Sequence, residues 1–143
     1  MSRYVVDANV VSKWFVPESL SEEAARLLDG AHELVSPDLL WPEVGNVLWK
    51  KSRKGEISAR EATRIVGALD TLPLLVFPSR LVLEGALGIA LRTGRSVYDG
   101  VYLALAVALD CRLATADERL VNALADGPLA RHVAWIGEPD WVA

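Results

Sequence analysis

Several common devices are scarce or missing in this chain, and each shortage removes a class of reading. Cys111 is the single cysteine among 143 residues, so no internal disulfide can form. It follows a helical apolar stretch and reads as a small core residue. The two histidines, His32 and His132, stand far apart and read as surface or packing residues, which leaves no Cys/His cluster for zinc. No apolar run reaches the about 20 residues that cross a bilayer; the longest, Val101 to Leu109, falls well short. The N-terminus offers one cation, Arg3, before apolar residues broken by Asp7, Asn9 and Lys13, so it does not read as a signal peptide. An excess of positive charge is also missing. The net charge of −4 argues against a generic nucleic-acid-binding surface. Without repeats, low-complexity segments or a linker, residues 1–143 are expected to form one domain, large enough to bury a core without staples. These features fit a reducing cytoplasm and no membrane.

What the chain does have is apolar residues and four unusually placed acids. Its composition is 52% hydrophobic and only 24% charged, with five tryptophans. That is rich for a soluble monomer, so a partner or a second copy is expected to cover part of the surface. Asp7 follows Tyr4-Val5-Val6, Glu43 follows Trp41-Pro42, Asp99 follows Ser96-Val97-Tyr98, and Asp117 follows Leu113-Ala114-Thr115-Ala116. Each stands where the chain leaves a strand or enters a helix. A buried carboxylate without a partner is costly, so four drawn toward a hydrophobic frame suggest a shared cation. Each also has a plain reading as a helix cap or as a complement to a positive helix end. The two readings are compatible.

The patterning alternates strands and helices. Strands are expected at Tyr4–Val6, Glu33–Val35, Leu74–Phe77, Arg112–Thr115 and Val133–Ile136. Helices are expected over Val10–Phe15, Ser21–Leu28 with Ser21 as cap, and a stretch from about Trp41 or Pro42 to Lys54. Further helices are expected from Ser58 to about Leu72, from Ser79 or Arg80 to about Leu91, over Val97–Leu109 and over Glu118–Leu124. Ser58 and Glu61 form a capping-box pattern. Strands separated by helical crossovers imply an α/β fold with a parallel sheet covered on both faces. In such sheets the site lies beyond the carboxyl ends of the strands, near the switch in strand order.

Four segments together carry a resemblance. They are Val5-Val6-Asp7-Ala8-Asn9-Val10-Val11, Pro42-Glu43-Val44-Gly45-Asn46-Val47-Leu48, Ser96-Val97-Tyr98-Asp99-Gly100-Val101-Tyr102-Leu103-Ala104-Leu105-Ala106, and Leu113-Ala114-Thr115-Ala116-Asp117-Glu118-Arg119-Leu120. In this order and spacing the chain resembles the PIN-domain ribonucleases over nearly its whole length, most closely the VapC toxins of VapBC toxin–antitoxin modules. The resemblance implies a three-layer α/β/α sandwich around a five-stranded parallel sheet, with Asp7, Glu43, Asp99 and Asp117 as a catalytic, metal-binding quartet. It also implies cleavage of RNA to a 5′-phosphate and a 3′-hydroxyl, a small antitoxin of the VapB type, and a homodimer formed through another face. Three positions depart from the common pattern. Asn9 stands where many relatives carry Ser or Thr, and its amide can still donate toward Asp7. Gly100 replaces the usual Ala, which would loosen the start of its helix by up to about 1 kcal/mol. Arg119 sits where some relatives have another polar or acidic residue, which leaves room for Asp117 to reach the metal through water.

All-oxygen donors select hard cations, and a few carboxylates with waters is how magnesium or manganese is held. Thr115, two residues before Asp117, is placed to orient a carboxylate or a water. Lys50, Lys51, Arg53 and Lys54 form a basic cluster that reads either as a solvated helix end or as a contact for RNA phosphates. Arg92 and Arg95, around Gly94, allow the same two readings. Trp14, Phe15, Trp41 and Trp49 could edge one antitoxin-binding groove, with ordinary core packing as the alternative. A receiver-type phosphoacceptor domain would want a lysine after the last strand, and none follows Lys54. A non-catalytic module with this fold, or a PIN-like nuclease outside a toxin–antitoxin system, processing RNA or acting on structured DNA, remain the rival functions.

Overall fold

The computed structural model describes residues 2–139 and 141. Its centre is a five-stranded, all-parallel sheet in the order β3-β2-β1-β4-β5. The strands are β1 (Ser2–Val6), β2 (His32–Pro37), β3 (Leu74–Phe77), β4 (Arg112–Thr115) and β5 (Val133–Trp135). Helices α1 (Ala8–Lys13), α2 (Ser21–Ala25), α3 (Leu40–Arg53) and α4 (Ala59–Ala68) supply one outer layer, and α5 (Leu83–Thr93), α6 (Val97–Ala108) and α7 (Glu118–Leu124) the other. The strand alternation divides the core between them. Tyr4 and Val6 pack with Val44, Leu48 and Ile65 on one face, while Val5 packs with Ile89, Leu103 and Leu120 on the other. This is the α/β/α sandwich that the patterning implies.

The chain runs outward from β1 through β2 to β3, then returns to the other side of β1 for β4 and β5. The switch in strand order therefore falls between β1 and β4, where Val6 is in register with Ala114. Asp7 and Asp117 follow these two strands directly, so the topology brings residues 110 positions apart to one crevice.

Local signals explain most boundaries. Pro42 sits in the first turn of α3, where its missing N–H leaves no helical bond unmade. Ser58 and Glu61 close the expected capping box. Ser21 does not cap α2. Leu20 holds the cap position in a left-handed conformation (φ 68°), and Ser21 Oγ instead accepts from the Glu18 amide. The segments after α4 and before α5 tighten into 3-10 turns at Leu69–Thr71 and Ser79–Val82.

Gly100 has a packing role that its helix propensity does not show. It is buried where α6 crosses α5, and a Cβ there would stand 2.4 Å from the Ala86 carbonyl oxygen. The glycine permits close approach of two helices, and that contact outweighs its low helix propensity. Gly100→Ala is expected to destabilise the fold by about 1–3 kcal/mol through overpacking. Chemical denaturation of the variant checks this; a stability equal to or above that of the parent would refute it.

Candidate active site

The four acids sit around the carboxyl edge of the sheet, each tied to the frame in its own way. Asp7 ends β1 in an extended conformation and caps α1, accepting from the Val10 amide at 3.0 Å through Oδ1. Its Oδ2 accepts from the Thr115 hydroxyl at 2.8 Å. Burial pushes the Asp7 carboxyl up from 3.8 to about 6, with Glu43 and Asp117 adding repulsion, although both hydrogen bonds pull the other way. Glu43 lies in the first turn of α3 and accepts from the Tyr102 hydroxyl at 2.6 Å. Burial raises its carboxyl as well, and Asp99 adds to the rise. Burial and the facing Glu43 push the Tyr102 phenol far above its usual value, so it acts as a fixed donor.

Asp99 and Asp117 share a counter-ion. The Asp99 amide donates to Ser96 Oγ at 3.1 Å, which is half of a capping box. Its side chain does not close the box but accepts from Arg95 Nε at 3.2 Å through Oδ2. Asp117 caps α7, taking the Arg119 and Leu120 amides on Oδ1 at 3.0 and 3.3 Å. Its Oδ2 stands 3.7 Å from Arg95 Nη2. The Asp117 amide donates to Thr115 Oγ1 at 3.1 Å. One threonine hydroxyl thus links the acids that follow β1 and β4.

A cleft of about 480 Å³ opens on this edge, lined by Asp7, Glu43, Asp99 and Tyr102, with Asn9, Asn46, Lys50, Lys51 and Lys54 among its other walls. Asp117 lies outside that lining. Asn9 makes no hydrogen bond to Asp7; its side chain is exposed, and the support expected from it comes from Thr115 and the Val10 amide. The basic cluster divides. Lys50 and Lys54 are exposed along the cleft, whereas Lys51 is buried and paired with Glu18. Glu18 also accepts from Lys13. Arg53 points elsewhere, its guanidinium 4.9 Å over the Trp49 ring. The four aromatics divide too. Trp14, Phe15 and Trp41 pack against the core, with the Trp14 indole donating to the Ala24 carbonyl at 2.8 Å. Only Trp49 is open, at 52% exposure, and none of the four lines the cleft.

Sequence reasoning left Tyr102 without a role and read Arg95 as a helix end or a phosphate contact, not as the partner of Asp99 and Asp117. Both carried a signal. Tyr102 is three residues after Asp99 on α6, hence on the same face, and Arg95 precedes Asp99 by four. Glu18 and Lys13 had no comparable signal, because their pairing depends on a loop that no local pattern specifies.

Among the described residues, no three acidic, histidine or cysteine side chains stand close enough to enclose a metal ion. The hydrogen bonds to Thr115, Tyr102 and Arg95 hold the carboxylates in separate positions. The donor set nevertheless fits magnesium or manganese, which keep several waters and can meet carboxylates too far apart for a dry cage. Asp7, Glu43 and Asp99 face the cleft and could hold such an ion. Burial, with a smaller contribution from neighbouring acids, raises the Asp7 and Glu43 carboxyls, and a bound cation would favour their charged forms again.

Residues 4–125 match the PIN domain family. Ribonuclease VapC3 of Pyrobaculum aerophilum is 38% identical over 122 residues, covering 84% of this chain and 93% of that protein. Ribonuclease VapC1 of Mycobacterium tuberculosis is 36% identical over 127 residues, covering 86% and 92%. Two solved structures share the fold. A toxin–antitoxin complex from Klebsiella pneumoniae gives a TM-score of 0.61 at 17% identity, over 92% of this chain and 95% of that one. A crystal structure from Pyrobaculum aerophilum gives 0.62 at 24%, over 95% and 85%. The order of the strands, the acids at the switch point and the relatives agree: this chain belongs to the PIN-domain family and, within it, to the VapC-type ribonucleases.

Proposed function

We propose that the cleft hydrolyses RNA phosphodiesters with magnesium or manganese, and that the chain is the toxin of a type II toxin–antitoxin pair. The observation that carries this reading is the facing of Asp7, Glu43 and Asp99 into one cleft whose lining also holds the exposed Lys50 and Lys54. When bound, the ion supplies an acidified water and neutralises charge developing on the phosphate. The rest falls to the chain. Thr115 fixes the Asp7 carboxylate in orientation, and Tyr102 does the same for Glu43 while keeping its own proton. Asp117 supports Asp7 from the rim through the same threonine. Cleavage breaks the bond from phosphorus to the 3′ oxygen, leaving a 3′-hydroxyl on one product and a 5′-phosphate on the other. No nucleophilic side chain is required.

Lys50 and Lys54 are placed to receive phosphates of the RNA as it leaves the acids. Replacing both with Gln is expected to weaken RNA binding and reduce the slope of log affinity against log salt by about 2. An unchanged slope would return them to the role of solvated helix end.

The protein partner is an antitoxin of the VapB type, whose basic or amphipathic segment would meet the acids and the exposed Trp49. No helix among the described residues is long and apolar enough to cross a membrane, and we place the protein in the cytoplasm. A homodimer would use another face, where Leu81, Leu87 and Leu91 lie exposed; sedimentation that shows only monomer would remove it. One experiment tests the main reading. RNA 5′-phosphate ends are sequenced after brief induction in cells, with and without the product of the adjacent gene. New ends at defined sites, suppressed by that product, are expected. Absence of new ends would overturn the nuclease; ends that persist beside the neighbour would overturn only the toxin pairing.

A further inference from the structure

The position of Arg95 gives the acid quartet a feature that carboxylates alone do not explain. Its side chain is 29% exposed and reaches two acids from one guanidinium, Asp99 through Nε and Asp117 through Nη2. Both oxygens of Asp117 are thereby engaged, Oδ1 by the α7 amides and Oδ2 by Arg95. Asp117 also stands outside the lining of the cleft. Asp99 Oδ1 has no protein donor among the described residues, and Asp99 lines the same cleft as Asp7 and Glu43. An arginine in a protein does not lose its proton, and its planar fork suits two carboxylates.

We infer that Arg95 is a built-in counter-cation that takes the place of a second metal ion, so that the cleft accepts a single divalent ion at Asp7, Glu43 and Asp99. This rests on reading the cleft as a metal-dependent active site. Two-metal nucleases hold their ions about 3.5–4 Å apart between shared carboxylates. Here the shared carboxylate would be Asp99, and the guanidinium already occupies its outer side. A second ion would have to displace a permanent positive charge and free Asp117 from it. Arg95 is therefore a positioning residue. It occupies Oδ2 of Asp99 and faces Oδ2 of Asp117, and would thereby set how many ions the cleft takes.

Calorimetric titration of the metal-stripped full chain with manganese tests this, with circular dichroism confirming that each variant is folded. The wild type is expected to bind one equivalent. Arg95→Gln frees the outer oxygens of Asp99 and Asp117 and is expected to bind two, the first about tenfold more tightly because a nearby positive charge is gone. Arg95→Lys keeps the charge and is expected to bind one. Two equivalents on the wild type, or one on Arg95→Gln, would overturn the inference and leave the active-site reading in place. No binding to the wild type would overturn both.

Discussion

Asp7→Asn and Asp99→Asn are each expected to lower RNA cleavage by roughly three orders of magnitude or more, equivalent to about 4 kcal/mol of transition-state stabilisation. Both replace a cleft-facing carboxylate by an amide of the same shape, so the sheet and helices should persist. The two variants should differ in stability. Asp7 is held by the Val10 amide and Thr115, and burial makes its charge costly. Removing that charge should raise the melting temperature of metal-free protein at pH 7. Asp99 is paired with Arg95, and its loss leaves the guanidinium with Asp117 alone, so no such gain should follow. A cleavage assay beside a thermal melt reads both effects. Full activity of either variant, or of the parent in chelator, would eliminate the metal-dependent mechanism. Glu43→Gln should cost nearly as much as the first two, and Asp117→Asn less, since its oxygens are turned away from the cleft.

Metal-free protein should become more stable as pH falls from 7 toward 5. Asp7 titrates near 6 in the folded state against 3.8 ordinarily, so the folded chain binds its proton more tightly than the unfolded chain. The ionised form penalises folding fully above pH 6, and the penalty fades as pH falls through 6 toward 3.8. At full size it amounts to roughly 3 kcal/mol, less because the residue is partly open to water. Glu43 shifts in the same direction. Glu18 goes the other way. Burial pushes its carboxyl up, but hydrogen bonds from Lys51 and Lys13 outweigh this and hold it low. Its contribution is lost only below the ordinary carboxylate range, so it does not mask the gain between pH 7 and 5. Magnesium should raise the melting point at pH 7 by about 2.7 kcal/mol worth of stability at a hundred times its Kd. It should do little at pH 5, where Asp7 is protonated. A melting point that falls steadily from pH 7 to 5 without metal, with no response to magnesium at either pH, would refute the crowding of charge at this site.

Much of this organisation was legible because local and global signals agree. Asp7, Ser58 and Asp117 cap the helices that their positions suggest, and the β3 and β4 boundaries coincide with apolar runs ended by Pro78 and Asp117. The misreadings share a cause. Gly100 looked weak as a helix residue because its contact is with Ala86, on another helix. Lys51 looked like its neighbours in the basic run, yet a single residue step along α3 separates exposed Lys50 from Lys51, which is locked to Glu18, 33 residues away. For Trp14, Phe15 and Trp41 the two readings differ by contacts between segments, and these place all three, partly buried, against the core on the α1–α3 side. Pairings between distant segments leave no trace in a local pattern.

The hydroxyl of Thr115 has a consequence for the life of the chain as it is made. It joins the acid after the first strand to the acid after the fourth, reaching Asp7 from 108 positions along the chain. A growing polypeptide can form β1, β2 and β3 and present Asp7 and Glu43 while β4 is still inside the ribosome. Until Arg112–Ala114 pairs with Tyr4–Val6, Asp7 has only its local bond from the Val10 amide and lacks the one from Thr115. The full constraint on Asp7 is thus a product of the tertiary fold, and a chain in which β4 has not joined the sheet leaves the Asp7 carboxylate without one of its two donors.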